Sequence, residues 1–284
     1  MEMLNIGTQT FGIAKELSAD FSGTLRSLHD IGFDSVEPMV LFSGKQGKTP
    51  KNLWAQDTLE EALPVLEELG MGIPSIHIGI GYGWLSMPIS MIAKNILAIQ
   101  KRTGTSTFVI SGLFRTAAQT KHWAKLMRKV SDAVYPSGVT ILCHTHDDEF
   151  QKISYQADRK EALQVFFDLA GPDVMLQLDI GWAAMAADEV SIAERYADRI
   201  VSLHLKDFYP GFREGGFTRT TVPESQFAPI GAGAVRHDKI VAMYSRFPHF
   251  NGSLIIDQDK YAGNMLEALR TGYENVRAMV GESK

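Results

Sequence analysis

Four short apolar runs in this chain each end on groups that can bind a metal ion or carry a proton. The richest is Thr140-Ile-Leu-Cys-His-Thr-His-Asp-Asp-Glu-Phe150, where a β-prone run enters His144, His146, Asp147, Asp148 and Glu149. Leu176-Gln-Leu-Asp-Ile180 delivers Asp179, Val201-Ser-Leu-His-Leu-Lys-Asp207 delivers His204 and Lys206, and Leu254-Ile-Ile-Asp-Gln-Asp259 delivers Asp257 and Asp259. Imidazole and carboxylate groups serve both as ligands and as acid/base catalysts. An ionised aspartate at the end of a buried strand is costly unless it is paired or bound to a cation. Four such tips in order predict one shared site at one end of a parallel sheet or barrel.

Each residue also has a plainer reading. Asp179 can cap a helix starting at Gly181-Trp-Ala-Ala, and His204 can be a satisfied core histidine. Asp257 and Asp259 can be a solvated loop pair. By the period of two, Lys206 shares the face of His204 and points into the same mouth, where it would hold a substrate oxygen; a surface salt bridge with Asp207 is the alternative. Cys143 is out of phase with His144 and faces the helices. Glu37 and His77 end two earlier runs, where a barrel places substrate contacts. Trp182, Phe11, Phe208 and Trp84 are candidate apolar walls, and Asp259 a further substrate contact.

The elements needed to hold these tips together alternate along the chain. Expected strands are Leu4–Thr8, Ser35–Pro38, Ser75–Gly79, Thr107–Ser111, Thr140–His144, Met175–Asp179, Ile200–Lys206 and Ser253–Asp257. Helical spacing of apolar residues lies between them. Asp20–Gly32 and Thr58–Gly70 both stop on glycine, and the second opens with a capping-box pair, Thr58 and Glu61. Met87–Thr103, His122–Tyr135, Arg159–Leu169, Ile192–Ala197, His237–Tyr244 and Tyr261–Val280 fill the remaining places. Eight strands, each followed by a helix, predict an α/β protein with a single (β/α)8 TIM barrel domain over residues 1–284. An open doubly wound sheet would call for a phosphate loop; Gly231-Ala-Gly-Ala lacks the third glycine of that fingerprint. The long polar stretch Tyr209–Ala234 after strand seven is expected to carry function.

Composition narrows the class. With 45% apolar residues in 284, the chain can bury a full core unaided. One cysteine excludes an internal disulfide and suits a reducing cytoplasm. Met1-Glu-Met-Leu-Asn has no signal-peptide pattern, and no apolar run is long enough to span a membrane. A net charge of -5 argues against a large nucleic-acid footprint. A homo-oligomer is left open.

Several of these stretches together resemble a known family. Ile141–Phe150 is similar to the H-N-H-x-x-E-F signature of the sugar phosphate isomerase/epimerase group of xylose-isomerase-like TIM barrels. Gln177-Leu-Asp-Ile-Gly-Trp182 resembles its D-x-G-W motif, and Ser202-Leu-His-Leu-Lys-Asp207 its H-x-K-D. Phe227–Ala234 resembles its P-x-G-x-G loop, and Ile255-Ile-Asp-Gln-Asp259 its E-x-D. The match runs from Val36-Glu-Pro on strand two to strand eight.

The resemblance implies a divalent ion (Mn, Mg, Co or Zn) at the C-terminal mouth, held at His144, Asp179, His204 and Asp257. Two of these depart from the commoner pattern: His replaces Glu on strand five, and Asp replaces Glu on strand eight. Glu149 is either a substitute ligand or the base, and His146 is the competing base. The implied activity is isomerisation or epimerisation, or related dehydratase or lyase chemistry, on a sugar, keto-sugar or polyol through a metal-bound enediolate. Two other classes are an apurinic-endonuclease-like phosphodiesterase and a non-catalytic sugar-binding barrel with a decayed metal site.

Overall fold

Strands and helices alternate along the computed structural model, which describes residues 4–42, 53–54, 56–79 and 87–282. The order opens with β1 (Asn5–Gln9), α1 (Ala14–Ala19), α2 (Phe21–Ile31), β2 (Ser35–Glu37), β3 (Met39–Leu41), β4 (Leu53–Trp54), α3 (Gln56–Leu69) and β5 (Ile76–Gly79). It continues through α4 (Ile89–Thr103), β6 (Thr107–Ser111), α5 (Ala117–Val134), β7 (Thr140–His144), β8 (Lys152–Tyr155), β9 (Asp158–Glu161), α6 (Ala162–Ala170), β10 (Val174–Asp179) and α7 (Ile180–Ala186). Then come α8 (Glu189–Arg195), β11 (Ile200–Leu205), β12 (Asp207–Phe208), β13 (Phe227–Ala228), α9 (His237–Val241), β14 (Ser253–Ile256) and α10 (Met265–Glu282). Trp84 lies outside the described residues.

The parallel ladder runs β2-β1-β14-β11-β10-β7-β6-β5-β3-β4. The second barrel strand is therefore split at Pro38: β2 pairs with β1, and β3 pairs with β5. Proline has no N–H to give the ladder, so the break falls there. The ring closes across it, with Val36 N–H donating to Gly72 O at 3.0 Å and His77 N–H to Pro38 O at 2.9 Å. The fold is the single (β/α)8 barrel that the pattern predicts, with β4 as a ninth position beside β3.

Helix ends follow their capping residues. Asp20 accepts from Gly23 N–H at 2.9 Å, and the helix stops at Gly32, whose φ of 121° favours glycine. The expected helix Arg159–Leu169 begins three residues late, at Ala162. Arg159–Glu161 instead pairs antiparallel with Lys152–Tyr155 through a two-residue turn, where Gln156 adopts φ 56°. The helix over Thr58–Gly70 begins earlier, at Gln56, so Thr58 is not its cap.

Among the described residues, two apolar clusters form the core. The larger joins the outer faces of the strands to the helices and includes Cys143, whose thiol is pushed well up by burial and by Glu149. The smaller, Val109, Leu142 and Val201 with Met175 against them, plugs the lumen below the mouth. Val201 joins it because the β10–β11 register slips at this point, turning the extra residue inward. Fully burying side chains of this size contributes about 1.5–3 kcal/mol each. Above the plug, the inward positions become polar. Among the described residues, no helix is long and apolar enough to cross a membrane.

The stretch after β11 is anchored from outside the barrel. Glu189, fully buried at the start of α8, accepts from Arg213 at 2.8 Å and from Arg236 at 3.0 Å, the first within the loop and the second just after it. Burial alone would raise this carboxyl, but the two guanidinium groups hold it at about 2 against an ordinary 4.5. A folded-state value below the unfolded one stabilises the protein above the unfolded value, and that stability is lost as pH falls toward the folded one. Glu189→Gln should therefore cost about 1.5–3 kcal/mol at neutral pH and flatten the fall in stability between about pH 5 and pH 2. Urea denaturation across that range reads both effects.

Candidate active site and metal centre

Among the described residues, Glu37, Ser75, Gln177, His144, His204, Asp257, Lys206 and Asp259 at the C-terminal end of the barrel form one hydrogen-bonded network. Glu37, at the tip of β2, is fully buried beneath the mouth. It accepts from His204 Nε2 at 2.9 Å, Ser75 Oγ at 2.5 Å and Gln177 Nε2 at 2.7 Å. His204 Nδ1 lies 3.1 Å from Asp257 Oδ2, so both ring nitrogens face carboxylates. Burial would lower the imidazole, but Glu37 and Asp257 outweigh it and hold it up at about 10. The same pairing holds Glu37 well below its usual range, against the effect of burial.

His144 is set up differently. Because Gln177 gives its amide N–H to Glu37, its Oε1 is the acceptor at 2.9 Å for His144 Nδ1–H. That leaves His144 Nε2 with a lone pair. Burial, then the neighbouring His204 and His146, keep this ring neutral, with its pKa well below the ordinary value. A neutral imidazole oriented by an outer hydrogen bond is the form a metal needs.

Asp179 meets both of its sequence readings. One oxygen accepts from Trp182 N–H at 2.9 Å and caps α7, while Oδ2 is buried without a hydrogen-bond partner. Asp257 Oδ1 is likewise unpartnered. One ligand atom from each of His144, Asp179, His204 and Asp257 can be chosen so that all lie within 4.8 Å of one another. Two orphaned carboxylate oxygens in such a cluster fit a divalent cation, since burying unpaired anions is otherwise costly. The strain appears in Asp179, whose carboxyl burial pushes up to about 7 even beside Lys206.

The remaining candidates take distinct positions. Lys206 is buried, with Nζ at 2.7 Å from Asp259 Oδ2 and 2.9 Å from Asp257 Oδ2. The solvated-pair reading of Asp257 and Asp259 and the Lys206–Asp207 bridge are thus both replaced. His77 sits over β5, its Nε2 2.7 Å from Ser111 Oγ and its Nδ1 3.6 Å from Glu37. His146 follows β7 with its ring 4.9 Å from that of His144. Glu149 is behind it: Oε2 accepts from His146 N–H at 2.8 Å and Oε1 is 3.8 Å from His146 Nδ1. A cavity of about 190 Å³ opens above, walled by His146, Trp182, Phe11, Arg219, Asp257 and Asp259 among others. Glu149 is not in that wall; neither is Phe208, which packs beneath Trp182 at 5.4 Å between ring centroids.

The xylose isomerase-like TIM barrel family model matches residues 25–274. The chain belongs to that family. No curated protein matches the sequence closely enough to count as a relative. Among solved structures, a sugar phosphate isomerase/epimerase from Parabacteroides distasonis superposes with TM-score 0.75 at 18% identity, covering 100% of this chain and 96% of that one. A probable 3-DHS dehydratase involved in petrobactin synthesis in Bacillus anthracis gives 0.69 at 14% identity, covering 96% and 99%. A xylose isomerase-like TIM barrel protein from Mycobacterium smegmatis, in complex with magnesium, gives 0.69 at 15%, covering 100% and 99%. At such identities these likenesses speak for the fold.

Within this family member, two features of the mouth escape a reading by strand tips. Gln177 and Ser75 are inward by phase with Asp179 and His77, a signal present in the sequence but not used. Arg219 comes from the long loop, which no periodicity places; its backbone N–H donates to Asp147 Oδ1 at 3.3 Å and its Nη2 lies 3.3 Å from Asp148. The loop is hung on Asp207, whose two oxygens accept from the N–H groups of Phe208, Gly231, Gly233 and Val235 at 2.8–3.1 Å. Gly233 is required, since a Cβ there would lie 2.2 Å from Asp207 Oδ1. Asp207→Ala leaves these donors without their acceptor and should cost about 1–3 kcal/mol. Hydrogen exchange should accelerate at Gly231, Gly233 and Val235 while the β6 and β7 amides keep their protection.

Proposed function

We propose that this protein is a divalent-metal-dependent isomerase or epimerase of a small sugar, keto-sugar or polyol. The observation that carries the reading is the convergence of His144, Asp179, His204 and Asp257 on one point, with two carboxylate oxygens there left without partners. An ion held by these groups would act as a Lewis acid toward a substrate carbonyl and its neighbouring hydroxyl. Glu37 and Gln177 orient the two histidine ligands from below, as outer carboxylates and amides do in metal sites.

The proton is moved by residues beside that point. His146 lines the cavity, and its Nδ1 lies 3.8 Å from Glu149 Oε1. It takes the proton from the carbon next to the carbonyl and returns it to the adjacent carbon, which isomerises the substrate; epimerisation would call for a second proton donor on the opposite face. Glu149 holds the backbone N–H of His146, and its Oε1, 3.8 Å from Nδ1 with no hydrogen bond between them, would stabilise by charge the imidazolium that forms. Lys206 and Arg219 offer cationic donors to substrate oxygens, while Trp182 forms an apolar wall. A cavity of about 190 Å³ favours a small substrate, below the ~300 Å³ at which drug-sized sites begin. Elimination from the same deprotonated substrate would give a dehydratase.

A phosphodiesterase finds less support. It calls for several metals and a basic groove, whereas the described residues hold one ligand cluster, and Arg219 at its rim is paired with Asp148.

Asp179→Ala and His204→Ala should each abolish bound metal, read by elemental analysis of protein purified without chelator, while circular dichroism stays native. His146→Asn should retain metal and reduce turnover by about 10²–10⁴-fold. Incubation in D2O with a panel of ketopentoses and ketohexoses, free and phosphorylated, reports the step directly as exchange of the α-proton. Exchange at the wild-type rate in His146→Asn would move the base to Glu149, which Glu149→Gln then tests.

A further inference from the structure

A buried lysine stands inside the acidic cluster where a cation is wanted. Lys206 Nζ donates to Asp259 Oδ2 at 2.7 Å and to the backbone carbonyl of Asp257 at 2.9 Å; Asp257 Oδ2 is 2.9 Å away and Asp179 Oδ2 3.8 Å. Two of those acids, Asp179 and Asp257, belong to the four-residue ligand set. The side chain is 1% exposed, and its ammonium lies 5.4 Å over the Trp182 ring.

The backbone around Lys206 is built to hold it there. Gly181, in the first turn of α7, packs directly on it: a Cβ at Gly181 would lie 2.3 Å from Lys206 O and 2.7 Å from Lys206 Cβ. His237 Nε2 lies 3.2 Å from the same carbonyl. Strand tip, helix start and α9 thus fix the root of a side chain whose head has three carboxylates around it. Asp257 is the shared partner, with Oδ2 between His204 Nδ1 and Lys206 Nζ and Oδ1 facing no donor.

We infer that Lys206 is the resident cation of this site, competing electrostatically with a divalent ion for Asp179 and Asp257 and so setting a low metal affinity. The inference rests on the metal-centre reading above and adds its regulation. An ammonium within 4 Å of two ligand carboxylates offsets part of the negative charge that would draw in the ion, and it repels the ion itself at short range. It also offsets part of the charge of the three aspartates when no ion is bound, pairing directly with Asp257 and Asp259. Charge capture by Lys206 and capture by metal are then alternative states of one pocket.

The test is calorimetric titration of MnCl2 into the chelator-stripped full-length protein, wild type and Lys206→Met, with Lys206→Gln as a second neutral variant should the first fail to fold. Removing the ammonium should tighten Mn2+ binding about tenfold or more. The neutral variant should also melt several degrees lower in chelator and regain more of that loss on adding Mn2+ than wild type gains. Equal or weaker binding in the folded neutral variant overturns the inference and leaves the metal centre standing. Binding by the variant but not by wild type upholds it and removes metal-dependent catalysis from the native protein. No binding by either overturns both. In wild type labelled with 15N-lysine, diamagnetic Zn2+ should shift the buried Lys206 Nζ resonance; an unmoved resonance at saturating Zn2+ also counts against competition.

Discussion

Five buried or half-buried groups of alternating charge cross the mouth of the barrel: Glu37, His204, Asp257, Lys206 and Asp259. Successive members approach within 2.9, 3.1, 2.9 and 2.7 Å. Desolvating one such charge costs several kcal/mol, and only close partners of opposite sign repay it. Each member is therefore held by the next, and the groups come from strand two, strand seven, strand eight and the segments just beyond them. Closure of the ring brings these strands side by side, with β14 between β1 and β11. The network depends on the barrel being shut, and the barrel's polar upper layer is tolerable only because the network satisfies it.

The period of two made most of this visible from residues alone. His144, Asp179, His204 and Lys206 lie on the inward phase of strands whose alternate positions, such as Cys143, Leu178, Leu203 and Leu205, are buried against helices. The positions that resisted reading are those where the period breaks. Pro38 splits the second strand, so Glu37 and Met39 belong to different ladders though two residues apart. The hairpin Lys152–Glu161 is set by a positive-φ turn at Gln156, which glutamine does not announce. Glu149 sits in a single 3-10 turn, Asp148–Phe150, and whether such a turn aims a carboxylate into the mouth or behind its neighbour is decided by tertiary contact. Arg219 reaches the cavity from a loop without periodicity.

Several residues at the mouth serve structure and chemistry at once, which affects how the site tolerates change. Asp179 spends one oxygen on the first turn of α7 and exposes the other to the ligand cluster, so its position is fixed by a helix start rather than by a flexible loop. Asp207 accepts all its hydrogen bonds from backbone N–H groups, which places the loop bearing Arg219, while Lys206 turns inward. The two adjacent residues of the H-x-K-D stretch thereby divide the work between scaffold and site.

The same division explains the cost of leaving oxygens unpaired. Asp179 Oδ2 and Asp257 Oδ1 are desolvated by the same packing that orients their partner oxygens, so they cannot turn to water for relief. A buried acceptor without a donor costs about 1–3 kcal/mol, and a charged one more. The neighbouring cationic groups lower this penalty without satisfying either atom, because His204 and Lys206 both point at Asp257 Oδ2. The fold thus stores, at one point of its mouth, a free energy that a cation bound by the two orphaned oxygens would release.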